Sequence, residues 1–229
     1  MDLASQIYVR KSCRNYLDEK IDMTPIIEFL DNVPPLIPEI NYSYEILTKD
    51  EVSIRTGWKA PYYIALYSEK KENYGVNLGF IFQQLSLYMQ SIGIGSCWVG
   101  MATVKQKDPD FVITIAFGKS DNLTRDLSKF RRKSLSEISD TKDERLIPAQ
   151  LAPSAINSQP WYFKHSDDGF DVYKAKHNVI KQKILGRWND IDMGIALSHL
   201  YISNPDTFKF KFKNKEDIKG YTYFGSLKI

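Results

Sequence analysis

Apolar side chains recur at helical spacing in some stretches of the chain and run alternating or unbroken in others. Between Val76 and Ile92, the residues Leu78, Ile81, Phe82, Leu85, Tyr88, Met89 and Ile92 follow the three-and-four spacing of a helix. Asn77, Gln83, Gln84 and Gln90 interrupt that apolar run, so it reads as a buried helix rather than a membrane span. Gly93 and Gly95 are placed to end it. Residues 2–9 carry Leu3, Ile7 and Tyr8 at a short helical spacing. "MTPIIEFLDNV" lays Ile26, Ile27, Leu30 and Val33 on one side, with Thr24 as the expected N-cap and Pro25 in the first turn. A further helix is expected over 188–202. Strands are expected at "YSYEILT" (42–48), "YYIALYS" (62–68), "FVITIAFG" (111–118), "WYFKHS" with its hairpin partner "GFDVYKA", "FKFKF" (208–212) and "YTYFG" (221–225). The run at 111–118 is almost wholly apolar, as in a strand buried on both faces. In "KFKFK" the lysines share one face and the phenylalanines the other, which fits a half-buried edge strand better than a nucleic-acid surface.

Two segments echo each other. "NLGFIFQQLSL" (77–87) and "DMGIALSHLYI" (192–202) share a polar residue, an apolar one, a glycine and apolar residues at matching offsets. "RKS" occurs at 10–12 and again at 132–134. The charge-mixed stretch 119–144 then reads as the connection between two α+β halves.

Composition narrows the class. The 229 residues are 43% hydrophobic and 26% charged, ordinary values for a soluble globular protein. The aromatic share of 13% suits a core or pocket built on rings. Lys and Arg number 31 against 28 acids, so a net charge of +3 gives no field to recruit nucleic acid or a membrane. Cys13 and Cys97 have neither disulfide-scaffold nor metal-ligand spacing, which points to reduced thiols and a cytoplasmic location. The opening "MDLASQIYVRKSCR" lacks the apolar run of a signal peptide. The three histidines are scattered, and His199 falls on a helix where a structural role is expected.

Three motifs carry candidate chemistry. "RKSCR" (10–14) clusters Arg10, Lys11 and Arg14 with the Ser12 hydroxyl, a set suited to phosphate oxygens and equally compatible with a solvated basic turn. "GIGSCWVG" (93–100) lets backbone approach a ligand closely but has neither dinucleotide-fingerprint nor phosphate-loop spacing; by itself it reads as a helix-ending turn. "LAPSAINSQPW" (151–161) is stiffened by Pro153 and Pro160 and offers Ser154, Asn157, Ser158 and Gln159 to the edge of a planar heterocycle.

Together these motifs resemble those of the FMN-dependent nitroreductase family. Its members carry an Arg-Arg-Ser-x-Arg signature, an Ala-Pro-Ser-x-x-Asn-x-Gln-Pro-Trp loop and a Gly-Ser-Cys-Trp-like turn. Lys11 stands where the signature has its second arginine. The loop is complete at its fixed positions, but it follows the central helix here, whereas in ordinary members it precedes it. The family works as a homodimer with FMN at the interface, and the two motifs of one site come from different subunits. The resemblance therefore implies two tandem α+β halves mimicking that homodimer, 1–125 and 126–229, intertwined in one unit, with mostly antiparallel sheets on central helices. It implies one competent FMN site per chain, a degenerate mirror-image site, and a monomer or loose homo-oligomer.

Carried over residue by residue, Arg10, Ser12 and Arg14 would grip the FMN phosphate and ribityl chain, with Lys11 assisting. Pro153, Ser154, Ala155, Asn157 and Gln159 would form the flavin loop. Trp98 and the backbone at Val99 and Gly100 would lie beside the reactive edge. Arg131 or Arg132 is the local candidate for a further phosphate contact, although "RRKS" also fits a vestigial copy of the first cluster. Cys97 is expected to be a small core residue beside the flavin. The implied activity is hydride transfer from NADH or NADPH to FMN and on to a nitro compound, quinone or similar small acceptor. The alternative is an FMN carrier or sensor without efficient NAD(P)H turnover.

Overall fold

The computed structural model describes residues 2–176 and 179–229, and for 179–185 and 187 the backbone alone; His177 lies outside the described residues. The chain opens with α1 (Leu3–Ile7), whose first turn is capped by the Asp2 carboxylate accepting from the Ser5 N–H. In α2 (Thr24–Asn32) the expected cap is displaced. Thr24 is already helical, Met23 holds the cap position, and the Asp22 carboxylate accepts from the Thr24 N–H at 2.9 Å.

The first half continues with β1 (Tyr42–Thr48), β2 (Val52–Ile54), β3 (Tyr62–Ser68), α3 (Tyr74–Ser91), β4 (Ile94–Val99), β5 (Ala102–Val104) and β6 (Phe111–Lys119). Short helices α4 (Leu135–Ile138) and α5 (Ile147–Leu151) lead into β7 (Trp161–Ser166), β8 (Gly169–Ala175), α6 (Val179–Ser203), β9 (Lys209–Lys211) and β10 (Tyr221–Lys228). Two four-stranded sheets, ordered β1-β3-β6-β4 and β7-β8-β10-β9, are antiparallel throughout. In each, two strands precede the long helix, two follow it, and the last strand sits between the others. The small β2–β5 pair has no equivalent among the described residues of the second half.

Several local expectations need correction. Only Gly93, at φ 81°, forms the turn after α3, and "IGSCWV" is an edge strand rather than a turn. Gly95 lies within that strand because Cys13 presses on it, 2.7 Å from where a Cβ would stand. Helix α6 starts at Val179, well before the expected 188. The presumed connector contains α4, closed by a capping box between Ser134 and Glu137. Lys209 and Lys211 are exposed on the edge strand while Phe210 packs on the core, as the alternation requires.

Helices α3 and α6 pack against each other inside a single apolar cluster that draws residues from both halves. The polar residues that interrupt α3 are buried and bonded. Asn77 Oδ1 accepts from the Ile37 N–H at 2.9 Å, and Gln84 Nε2 donates to the Pro34 carbonyl at 3.3 Å. His199, fully buried in α6, belongs to a chain whose donor roles are fixed by its ends. Trp98 Nε1–H donates to Gln83 Oε1 at 3.0 Å and Gln83 Nε2–H to His199 Nε2 at 3.0 Å. His199 Nδ1–H then donates to the Pro148 carbonyl at 2.9 Å. Burial pushes the His199 pKa down to about 3, so the ring is neutral. No helix among the described residues is long and apolar enough to cross a membrane.

Candidate functional site

The segment 10–14 is fixed by backbone on both sides. Arg10 bridges Thr124, the Arg125 N–H donates to the Val9 carbonyl at 2.8 Å, and the Cys13 N–H donates to the Ser96 carbonyl at 2.9 Å. This lays the segment between the edge strand β4 and residues 124–125, and gathers cations from distant parts of the sequence.

Arg10 is only 4% exposed. Its Nη2 donates to Ser12 Oγ at 3.2 Å, and its buried Nη1 has no partner. Burial, and then the neighbouring Arg132 and Arg125 charges, lower its pKa to about 9. Arg132 donates to Asn157 Oδ1 at 2.6 Å and to the Leu151 carbonyl at 3.3 Å, but its Nε is buried and unpaired. Burial and then Arg125 bring its pKa to about 10. Arg125 Nε is likewise buried without a partner. The Arg125 and Arg132 guanidiniums both lie over the Phe130 ring, at 4.9 and 5.7 Å from its centre. Among the described residues no acid forms an ion pair with them. The recess of about 870 Å³ in front of this cluster is lined by Arg14, Arg125, Lys129, Arg131 and Arg132, together with Ser12, Pro153, Ser154, Ile156 and Asn157.

A second, mostly apolar cavity of about 610 Å³ shares Ser12, Arg14, Pro153, Ser154 and Ile156 with that recess. Its walls are Cys97, Trp98 and Gly100 from β4 and its end, Ile113 from β6, and Trp188, Ile191, Asp192 and Ile195 from α6. At Gly100 a Cβ would stand 2.9 Å from the Trp188 ring, so that close approach depends on glycine. Burial raises the Cys97 thiol pKa against the opposing pull of Arg14, which leaves an inert apolar wall rather than a nucleophile.

The loop over both compartments holds an unusual backbone. Ile156, Asn157 and Gln159 have φ of 48°, 60° and 48°, which is rare for non-glycine residues and strained for a β-branched one. The conformation is over-determined by hydrogen bonds. Ser154 Oγ accepts from the Gln159 N–H at 2.9 Å, Asn157 Nδ2 donates to the Arg131 carbonyl at 2.9 Å, and Gln159 Oε1 accepts from the Lys133 N–H at 2.8 Å. Asp192 accepts from the Ala155 N–H at 3.0 Å and from Ser158 Oγ at 3.3 Å. Ile156 is left 82% exposed at the mouth between the compartments.

The sequence-predicted residues therefore separate by place. Ser12, Arg14, Trp98, Gly100, Pro153, Ser154 and Ala155 line the apolar cavity. Arg131, Arg132 and Asn157 line the cationic recess, so Asn157 sits with the cations rather than over the ring space. Arg10 lies behind Ser12. Lys11 and Val99 are not part of either wall, and the Val99 carbonyl is engaged by Thr114 Oγ1 at 3.2 Å. Gln159 is buried and braces the loop. The sequence reading missed Arg125, hidden in the connector, and Ile156, Trp188, Ile191, Asp192 and Ile195; Lys129 opens the "KFRRKS" stretch (129–134) from which it chose Arg131 or Arg132. For Asp192 a signal existed: it opens the segment that echoes 77–87.

Comparison with known proteins agrees with this architecture. A family model described as "Putative TM nitroreductase" matches residues 2–204. The crystal structure of a "putative nitroreductase" from Thermotoga maritima superposes with a TM-score of 0.67 at 22% identity, over 98% of this chain and 93% of that one. An FMN-dependent nitroreductase from Clostridium difficile gives a TM-score of 0.45 at 16% identity, covering 55% of this chain and 93% of its own. A "putative nitroreductase" from Desulfovibrio desulfuricans, in complex with FMN, gives 0.45 at 20% identity, covering 59% and 93%. No curated protein matches the chain in sequence. With the family model extending over nearly the whole α+β fold and both walls of the cleft, the chain belongs to the nitroreductase family.

Proposed function

We propose that the protein is an FMN-dependent NAD(P)H oxidoreductase that reduces nitro compounds, quinones or similar small acceptors. The observation that carries this reading is the pairing of an apolar cavity with a recess of arginines whose buried nitrogens lack partners. Leaving such donors unpaired is costly, and a phosphate supplies the missing acceptors. The apolar cavity suits a planar ring.

In this reading Arg14, Arg125, Lys129, Arg131 and Arg132 hold the phosphate, and Arg10 orients the Ser12 hydroxyl. Pro153, Ser154 and Ala155 close one side of the ring space, while Trp98, Gly100 and Ile113 form the other. The Gln83–His199 chain fixes the Trp98 indole. Bound FMN would accept hydride from NADH or NADPH and return two electrons to the acceptor. No protein nucleophile is required. The residues bind, orient and exclude water.

One FMN per chain, with halves at 1–125 and 126–229 acting as a pseudo-dimer, is part of the same proposal. It is supported by the identical strand order of the two sheets. It is also supported by the fate of the corresponding position in the first half. Phe80, which follows Gly79 as Ile195 follows Gly194, packs on Tyr201 and Phe208 with ring centres 5.3 and 6.0 Å away. Aromatic side chains occupy the space there. The pseudo-dimer is a monomer or a loose homo-oligomer, and its two free, buried cysteines fit the reducing cytoplasm.

Rapid mixing of the FMN-loaded protein with NADH and with NADPH tests the activity. Bleaching of the oxidised flavin band by either is expected, followed by reoxidation when a quinone or nitroaromatic is added. A flavin that stays oxidised with both would overturn the reductase reading and leave a carrier.

A further inference from the structure

The two halves solve one structural problem with different chemistry. Two residues before its crossing glycine, α3 carries Asn77 and α6 carries Asp192. Asn77 Oδ1 accepts from the Ile37 N–H, in the loop that precedes β1. Asp192 accepts from the Ala155 N–H at 3.0 and 3.1 Å, in the loop that precedes β7. Tethering a loop at this position therefore needs only a neutral acceptor, since Asn77 does it with an amide. The half whose loop walls the cavity has a carboxylate instead.

Among the described residues that carboxylate has no counter-ion. The elements packed most closely on α6 are α1, α3, α5 and the turn at 155–157, whose described residues include no acidic, lysine or arginine side chain, and β8 reaches it through Lys174. On α6 itself, Asp190 is engaged by Lys174 at 2.6 Å, and His199 is neutral and bonded to Pro148. The titratable groups that share the cavity wall with Asp192 are Arg14 and Cys97. Asp192 is 3% exposed and lines the cavity. Burial holds its pKa up at about 7 despite the two bonds from the loop, so both protonation states are accessible near neutrality.

We propose that Asp192 is a proton-exchanging positioning residue: it tethers the ligand loop through Ala155 and Ser158, and seating a planar ring in the adjoining cavity draws a proton from solvent onto its carboxyl group. A ring in the cavity removes the water that solvates the carboxylate, and no cation replaces it. The protonated acid keeps one oxygen for the Ala155 N–H, as Asn77 does for Ile37, and can donate its O–H to Ser158 Oγ. Binding of the ring and uptake of the proton are then linked. This inference rests on the FMN reading of the cleft.

The test is the FMN dissociation constant of the apo protein and of Asp192→Asn, measured by flavin fluorescence from pH 6 to 9. Asparagine retains the acceptor for Ala155 and cannot titrate. Contributions from the FMN phosphate and from Arg10 are common to both proteins and cancel in the ratio. The wild-type constant, relative to that of the variant, is expected to rise about tenfold from pH 6 to 9, the equivalent of one pKa unit of coupling. A ratio that stays constant would overturn the role of Asp192 while leaving the FMN site intact. Failure of FMN to bind either protein at any pH would overturn both. Calorimetric titration of the wild type at pH 8, in buffers of different ionisation enthalpy, gives a second readout that needs no variant. Net proton uptake is expected, and zero uptake would contradict the proposal.

Discussion

Gly79 and Gly194 make a reciprocal helix crossing. A Cβ on Gly79 would run into the Ile191 carbonyl, three residues before Gly194, and a Cβ on Gly194 would run into the Val76 carbonyl, three residues before Gly79. Each glycine therefore admits the backbone of the other helix at the crossing. Gly79→Ala and Gly194→Ala are each expected to lower stability by ~1–3 kcal/mol through overpacking, which exceeds the ~1 kcal/mol that alanine gains in helix propensity. The double variant should lose less than the sum, because one separation of the helices relieves both clashes. Urea titrations of the three proteins check this.

Arg10 sets folding against binding. It is buried with Nη1 unpaired beside two like charges, so Arg10→Met should leave the apo protein as stable as the wild type or more so. FMN affinity should nevertheless fall about tenfold or more, the range for hydrogen bonds to charged groups. Asn157→Ala, which removes the Arg132 and Arg131 contacts, should also lower affinity. Melting curves without flavin, with dissociation constants measured alongside, separate the two effects. Loss of affinity in only one variant would mean that the two segments do not serve one pocket.

Asp192 and His199 push the pH dependence of stability in opposite directions. The Asp192 pKa rises on folding from 3.8 to about 7, so over that window the folded state holds more protons and stability falls as pH rises. The His199 pKa drops from 6.5 to about 3, so between these values the unfolded state holds more protons and stability rises with pH. From pH 4 to 6.5 the two contributions oppose each other. Asp192→Asn removes one of them, and the variant should lose stability on acidification from pH 6.5 to 4 more steeply than the wild type. Parallel melting-temperature profiles would contradict this.

The buried chain from Trp98 to Pro148 hinges on Gln83, which accepts at one end and donates at the other. Gln83→Leu strands the Trp98 N–H and His199 Nε2 in the core. A loss of ~1–3 kcal/mol is expected for each unpaired group, together with a change in Trp98 fluorescence, both readable in one denaturant titration.

Much of the architecture was legible in the sequence because its signals were strong and local. The strand 42–48 starts with exposed and half-buried residues in alternation, 62–68 is a largely apolar run, and the α3 face repeats at helical period. The loop "APSAINSQPW" carried its own specificity in residue identity. What escaped was set by tertiary contact. Gly95 looked like a turn residue but lies in a strand because Cys13 needs its space. Thr24 looked like a cap but lies inside the helix, and its own N–H donates to the Asp22 carboxylate two residues before it. Arg125 sat in a charge-mixed stretch with no pattern of its own, and it enters the site only because the 9–10 backbone pairs with 124–125. Val99 and Gln159 were expected to face the ligand, yet sheet and loop hydrogen bonds turn them inward.

The proposed flavin site is built once, from both halves, with the corresponding position in the first half filled by Phe80, Tyr201 and Phe208. The most direct measurement is the flavin-to-chain ratio of the protein saturated with FMN and freed of excess, from its absorbance spectrum and a chain concentration. One FMN per chain is expected. Two per chain, or a colourless protein, would contradict it.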